Sequence, residues 1–250
     1  MLSMKKVDIK NFFKSINLFE IIWIVSVVVI LLTLIILVPD LMFEDRNNTL
    51  VVVCSVISII ASPICELLIS KQCRYWTLFS LVFVEITDII MLFNLRLYSS
   101  ALISLLFWIP FDLITFIKWG GTNKDDIKHE LTKVRTFNWW SNILIVMIMV
   151  IAGLLLGWLL SFIPNYSESM VVAFSNVFEI ANGIFLLTRH NEQWFAWLGY
   201  LICEIIIWVS LGHYIMLITV FAMIINTIYG IVRWLLYIKS RTGIDKYLIS

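Results

Sequence analysis

Six carboxylic acids, Glu66, Glu85, Asp88, Asp112, Glu179 and Glu204, stand inside long apolar runs of this 250-residue sequence. At the centre of a bilayer such a group costs about 2.5–3.5 kcal/mol on insertion scales and is retained only beside a partner or a water-lined cavity. Each is therefore a candidate for ion or solute chemistry. Glu85 and Asp88 share a helical face and cannot both be charged cheaply in a dry setting. The pair suits proton uptake or cation binding, or else a hydrated, internally hydrogen-bonded structural role. Eleven tryptophans accompany the acids. Trp76, Trp119, Trp139, Trp140, Trp194 and Trp234 fall at the ends of apolar runs, where the interfacial belt enriches them. Trp108, Trp197 and Trp208 lie deeper, where an indole can stack a flat heteroaromatic ring while Asn or Asp fixes its polar edge.

The elements that must position these residues are membrane helices. The chain is 61% hydrophobic and 14% charged, with a mean hydropathy of +0.97, far from the soluble globular range. Apolar runs at 18–38, 50–69, 76–93, 97–118, 139–162, 170–187, 194–211 and 214–237 each approach the ~20 residues that a ~30 Å hydrocarbon core requires. Threaded in and out as eight helices, they leave sixteen of the eighteen Lys and Arg residues on one side. Only Arg46 and Arg96 fall on the other. The positive-inside rule then places both termini in the cytoplasm of a multi-pass plasma-membrane protein.

The same composition excludes several classes. The basic residues form short juxtamembrane clusters without interleaved aromatics, so nucleic acid is not an expected partner. Cys54, Cys65, Cys73 and Cys203 show no paired spacing, and His129, His190 and His213 lack the spacing of a helical metal pair. No metal or other cofactor is expected. No phosphate loop or nucleophile elbow is present, and the chain reads as a non-enzyme. The first apolar run is followed by Val-Pro-Asp-Leu rather than a small-residue cleavage site, so it reads as a retained helix.

The two halves of the chain echo each other. Lys71 is followed five positions later by Trp76, and Arg189 by Trp194. Asn94–Tyr98 faces Ser210–Tyr214, and Ile117-Lys118-Trp119 faces Val232-Arg233-Trp234. Three helices are thus repeated, and the one helix between them restores the orientation, as in parallel-repeat transporters. The expected organisation is a cytoplasmic segment 1–17, an extra transmembrane helix 18–38 and a first three-helix bundle 50–119. A cytoplasmic loop 120–138, a linker helix 139–162, a second bundle 170–237 and a cytoplasmic tail 238–250 complete it. The polar groups belong on the seam between the bundles, and with them a solute path. In the tails of the two third helices, Asp112 and Asn226-Thr227 stand about two turns from the cytoplasmic end, and Pro110 invites a kink.

The stretch Leu187-Thr188-Arg189-His190-Asn191-Glu192-Gln193-Trp194-Phe195-Ala196-Trp197 resembles the Thr-Arg…Glu-x-Trp-x-x-Trp signature of the PnuC family of vitamin transporters. Tyr229-Gly230-Ile231-Val232-Arg233-Trp234 is similar to that family's closing segment, and Pro110–Phe116 to its Pro-x-Asn-x-x-Gly-Phe segment. The likeness spans about residues 50–237. It implies an all-α, SWEET-like 3+1+3 fold with one extra N-terminal helix, a homotrimer in the lipid bilayer, and facilitated diffusion of nicotinamide riboside or another vitamin. Intracellular phosphorylation would trap the cargo. The chain departs from the pattern at Leu201 and Asp112, where relatives often carry Asn, and at Thr115, where they carry Gly. An acid in place of an amide favours a cationic ligand, so thiamine stands beside nicotinamide riboside, and riboflavin, deoxynucleosides and a proton-coupled symporter remain alternatives. The expected site has Trp194 and Trp197 stacking the ring, Asn226 and Tyr229 hydrogen-bonding the sugar or amide, and Asp112 compensating charge. Trp108, Glu85 and Glu204 complete the expected set.

Overall fold

The computed structural model describes residues 18–37, 49–71, 73, 75–120, 134–163 and 169–248. The expected segment 1–17, most of the loop 120–138, and Arg46, Arg74, Lys124, Lys128 and Lys133 lie outside the described residues. All described elements of any length are helices: α1 (Leu18–Leu37), α2 (Thr49–Ser70), α3 (Trp76–Asn94), α4 (Tyr98–Trp119), α5 (Trp139–Leu160), α6 (Ser169–Leu187), α7 (Gln193–Ser210) and α8 (Met216–Leu248). Seven of these, α2 to α8, contain stretches long and apolar enough to cross a membrane, and α1 contributes a shorter apolar stretch, Leu18–Leu34. The last helix runs on to Leu248, past the apolar run ending at 237, because no Pro interrupts the charged turns that follow.

The turns between helices are built from local chemistry. After α3 and after α7 the chain closes with the same hydrogen bonds, Leu97 N–H to Leu92 O (2.9 Å) and His213 N–H to Trp208 O (3.0 Å). The residue before each donor is left-handed, Arg96 with φ 62° and Gly212 with φ 68°. Asn138 caps α5 by accepting from Ser141 N–H at 2.8 Å.

Packing divides the helices by exposure. α2 lies along α8 and α3, α6 lies between α5 and α7, and α4 touches α3 and α6. The apolar core joins Leu31, Ile59, Met91, Leu97, Leu201, Ile207 and Ile215 from four helices and the turns before α4 and α8. α5 buries only Gly153, Gly157 and Leu160 and presents the rest of its apolar surface outward, as a lipid-facing helix does. Two further pairs recur at matching places. Trp76 meets Trp119 edge-on at 6.0 Å, and Trp194 meets Trp234 edge-on at 5.6 Å.

Two departures from a uniform α-helix matter for the interior. α3 widens to π-helix over Leu81–Glu85 and α4 over Ser104–Trp108, and the two widenings touch. In α4 the widening directly precedes Pro110, whose ring and missing N–H do not fit the regular ladder. Each ends on a candidate site residue, Glu85 or Trp108.

The chain enters α5 through a clasp on the α6–α7 turn. Arg135 N–H donates to Arg189 O, and Asn191 N–H donates to Arg135 O, both at 2.9 Å. Phe137 stacks on His190 with ring centres 4.0 Å apart, and Phe137 N–H donates to Glu192 Oε1 at 2.8 Å. Burial lowers the His190 imidazole below its ordinary value of 6.5, with Glu192 opposing and Arg135 reinforcing. The unfolded chain therefore takes the proton first on acidification, and the clasp's stability, complete above pH 6.5, falls as pH drops below that value. Thermal melts in detergent between about pH 7.5 and about pH 5.5, the span in which a histidine titrates, are expected to show a larger loss for wild type than for His190→Phe, which keeps the stack.

Candidate functional site

Six helices, α2–α4 and α6–α8, enclose a cavity with about 1210 Å³ of empty space, part of it open to the outside. Among the described residues its wall carries five carboxyls, Glu66, Glu85, Asp88, Glu179 and Glu204, and no Lys, Arg or His. Glu66, Glu85 and Glu204 are buried, while Asp88 and Glu179 are half-buried. Each carboxyl accepts a hydrogen bond from a neutral donor. Ser58 Oγ donates to Asp88 (2.8 Å), Ser80 Oγ to Glu85 (3.2 Å) and Trp108 Nε1 to Glu179 (2.5 Å). Ser175 Oγ donates to Glu204 (2.8 Å) and Thr227 Oγ1 to Glu66 (2.6 Å). Four of these five bonds cross from one helix to another, so they orient the acids and pin the wall together.

α7 supplies the aromatic plate. Trp197 and Tyr200, one turn apart, stack at 4.5 Å with 16° between their planes, and both line the cavity. Trp194 lines it as well, held edge-on against Trp234. A Cβ on Gly230 would stand 2.4 Å from the Trp194 ring, so the indole fits only against glycine. Beside these rings is Gln193, which is 1% exposed and lines the cavity, yet neither its Nε2 nor its Oε1 has a hydrogen-bond partner among the described residues. Trp194 Nε1 is likewise unpartnered. Buried polar groups left open in this way cost about 1–3 kcal/mol each, which a bound solute can recover.

Of the residues expected from sequence, Glu85, Trp108, Trp194, Trp197 and Glu204 come together on this wall. Asn226, Tyr229 and Asp112 are placed elsewhere. Asn226 Nδ2 donates to Pro63 O at 3.0 Å, tying α8 to α2 where proline interrupts the helix. Tyr229 Oη donates to Glu20 Oε1 at 3.1 Å, and Glu20 also pairs with Lys71 Nζ (2.5 Å) and Arg233 Nη1 (3.7 Å). Asp112 is 1% exposed, with Ser80 and Glu85 as its polar neighbours behind the wall. Gln193 and Tyr200 were not expected from sequence. Their signal was present, because Gln193, Trp197 and Tyr200 follow one another at intervals of four and three, the spacing of one helix face.

A cavity between six membrane helices, lined by aromatic rings and a few convergent carboxyls, is the architecture of a solute carrier. Residues 52–236 match the nicotinamide mononucleotide transporter family, and the chain belongs to it. It is a membrane transporter, not an enzyme. The nicotinamide riboside transporter PnuC of Haemophilus influenzae is 22% identical over 187 residues, covering 74% of this chain and 80% of that protein. The crystal structure of the vitamin B3 transporter PnuC superposes with a TM-score of 0.74 at 17% identity, over 96% of this chain and 99% of that one. The fold is thus that of PnuC.

Because Gln193 is buried with its amide unsatisfied, replacing it by an apolar side chain of similar size removes a penalty from the empty protein. Gln193→Leu is expected to raise the thermal midpoint without solute and to shrink the further rise that solute produces. Thermal-shift measurements on both proteins, with and without nicotinamide riboside, check it.

Proposed function

We propose that the protein carries a cationic vitamin of the nicotinamide riboside type across the plasma membrane by facilitated diffusion, with both termini cytoplasmic and phosphorylation inside trapping the cargo. One observation carries the choice of cargo: the cavity wall has five carboxyls and no cationic side chain among the described residues. Such a wall attracts a pyridinium and repels a phosphate, so the riboside fits and its phosphorylated form does not. Thiamine, whose thiazolium is also cationic, fits the same observation. Neutral riboflavin and deoxynucleosides gain nothing from the acids.

In this reading Trp197 and Tyr200 form the face on which the ring stacks, and Trp194 and Trp108 flank it. Glu85 and Glu204 supply negative charge. Gln193 offers a donor and an acceptor to an amide or sugar hydroxyl. Asn226 ties α8 to the Pro63 carbonyl of α2, Tyr229 belongs to the Glu20 cluster, and Asp112 stands behind Glu85, so these three lie outside the binding wall. The recurring Trp pairs and left-handed turns support eight spans organised as one extra helix plus a 3+1+3 parallel repeat. The resemblance to PnuC extends the reading to a SWEET-like homotrimer, for which native mass spectrometry is the direct measurement.

Uptake of labelled nicotinamide riboside into proteoliposomes tests the function. Saturable uptake, inhibited by thiamine and unaffected by nicotinamide mononucleotide, is expected; equal inhibition by the phosphorylated compound would overturn the cargo assignment. In the same assay Trp197→Ala is expected to raise KM by about 10- to 100-fold, given about 1–3 kcal/mol for stacking a heteroaromatic ring, while Trp197→Phe keeps most of the affinity.

A further inference from the structure

We infer that a second pocket, between the ends of α4 and α6, binds a phosphate-bearing anion through Lys118, Arg135 and Arg189. The inference goes beyond the transport reading and does not depend on which cargo the central cavity takes.

This pocket has about 560 Å³ of empty space, part of it open to the outside, and is lined by Lys118, Trp119, Arg135, Leu187, Thr188 and Arg189. Three of these side chains are cationic, and among the described residues none of the lining is acidic. The fold itself brings the cations together. Arg135 N–H donates to Arg189 O and Arg135 O accepts from Asn191 N–H, both at 2.9 Å, so the approach to α5 is fastened to the end of α6. The Arg189 guanidinium lies 5.0 Å from the centre of the Trp119 ring, which fixes it beside the end of α4, where Lys118 stands. Arg189 also has a left-handed backbone, φ 57°, a conformation better suited to Gly or Asn. A cation is therefore kept here against backbone preference and close to two like charges.

The opposite seam shows what an anion does in such a place. Arg233 directly precedes Trp234 as Lys118 precedes Trp119, and Lys71 comes five residues before Trp76 as Arg189 does before Trp194. Lys71 and Arg233 both pair with the carboxylate of Glu20, the third residue of α1, which ties the end of α2 to α8. The helix that precedes α6 as α1 precedes α2 is α5, and it has Ser141 as its third residue and no acid anywhere. The carboxylate that α1 brings to one seam thus has no equivalent from α5 at the other. A bound oxyanion fills that role, joining Lys118 on α4 to Arg189 after α6.

Phosphate suits the pocket because its oxygens accept from several cations at once and match a guanidinium in bidentate fashion. Arg135 stands four residues before Trp139, which with Trp140 is exposed at the start of α5, the level of the interfacial belt. A lipid headgroup reaches this level as readily as a soluble phosphate does.

The full chain in nanodiscs of phosphatidylcholine and phosphatidylglycerol tests the headgroup source, with native mass spectrometry counting the lipid that stays bound. Preference for phosphatidylglycerol is expected to fall about fivefold for each cation removed in Lys118→Gln, Arg135→Gln and Arg189→Asn, the last of which suits φ 57°. The soluble source is read in detergent free of anionic lipid. There inorganic phosphate or pyrophosphate, against chloride of equal ionic strength, should raise the wild-type thermal midpoint and not that of the variants. Either effect, lost in monodisperse pocket variants and kept in Lys5→Gln/Lys6→Gln, supports the site and identifies the source. Equal loss in Lys5→Gln/Lys6→Gln, or no anion preference in either arm, overturns it. So does binding that appears only after Asp125, Asp126 and Glu130 are changed to their amides, because the chain would then supply its own anion.

Discussion

Carboxyl groups buried at membrane depth must find donors inside the protein, and here the donors sit on neighbouring helices. Ser58 on α2 reaches Asp88 on α3, and Thr227 on α8 reaches Glu66 on α2. Trp108 on α4 reaches Glu179 on α6, and Ser175 on α6 reaches Glu204 on α7. These contacts form two chains, α3–α2–α8 and α4–α6–α7, around one cavity. Lipid offers no hydrogen bonds, so each helix pair has a register that satisfies its acid and others that do not. The acids therefore help to specify the packing as well as to furnish the site.

The frame repeats more faithfully than the chemistry it carries. Trp76 with Trp119 and Trp194 with Trp234 make the same edge-on contact, and Arg96 and Gly212 make the same left-handed turn. Three residues past the leading Trp, however, the halves diverge. Phe79 on α3 packs into the apolar cluster around Cys65, Trp108 and Phe111, whereas Trp197 on α7 lines the cavity and stacks on Tyr200. Aromatic cavity lining is thus concentrated on α7, whose start is held by the clasp through Asn191 and Glu192.

Much of this was legible in the sequence because it depends on local composition. Apolar runs of bilayer length, acids that have no place in them and Trp at recurring intervals are all one-dimensional signals. The family match and the all-helical PnuC fold agree with that reading. Asp112 and Thr227 stand seven residues before Trp119 and Trp234, with Asn226 beside Thr227, and all three are buried, but a count along a helix does not give direction. Asn226 turns to the carbonyl of Pro63, and Asp112 stands behind Glu85, because α2 and α3 cover those faces. The π-helical turns of α3 and α4 were invisible for a related reason. Pro110 signals a disturbance in one helix, but only packing decides that the disturbance is an added residue per turn, matched in its neighbour.

Tyr229 shows how the N-terminal helix α1 can engage a residue of α8. Its hydroxyl is close in sequence to the family-like closing segment, yet it is taken by Glu20 of α1, where Lys71 and Arg233 also converge. Glu20 is 2% exposed, and a lone carboxylate so buried would be strongly unfavourable. Two cations and a phenol make its burial tolerable, and they come from the end of α2 and from α8. The seam between α2 and α8 is thereby closed by charge, and by Trp234 Nε1 donating to Ser70 O at 3.2 Å. Its counterpart between α4 and α6 is closed without charge near Asn176, which accepts from Ser100 Oγ (2.8 Å) and donates to Ser99 Oγ (2.7 Å). An amide and hydroxyls exchange hydrogen bonds with water at little net cost, whereas separating a buried ion cluster leaves its charges uncompensated. The two seams that flank the cavity are therefore unequal in strength, although the tryptophan frame around them is nearly symmetric.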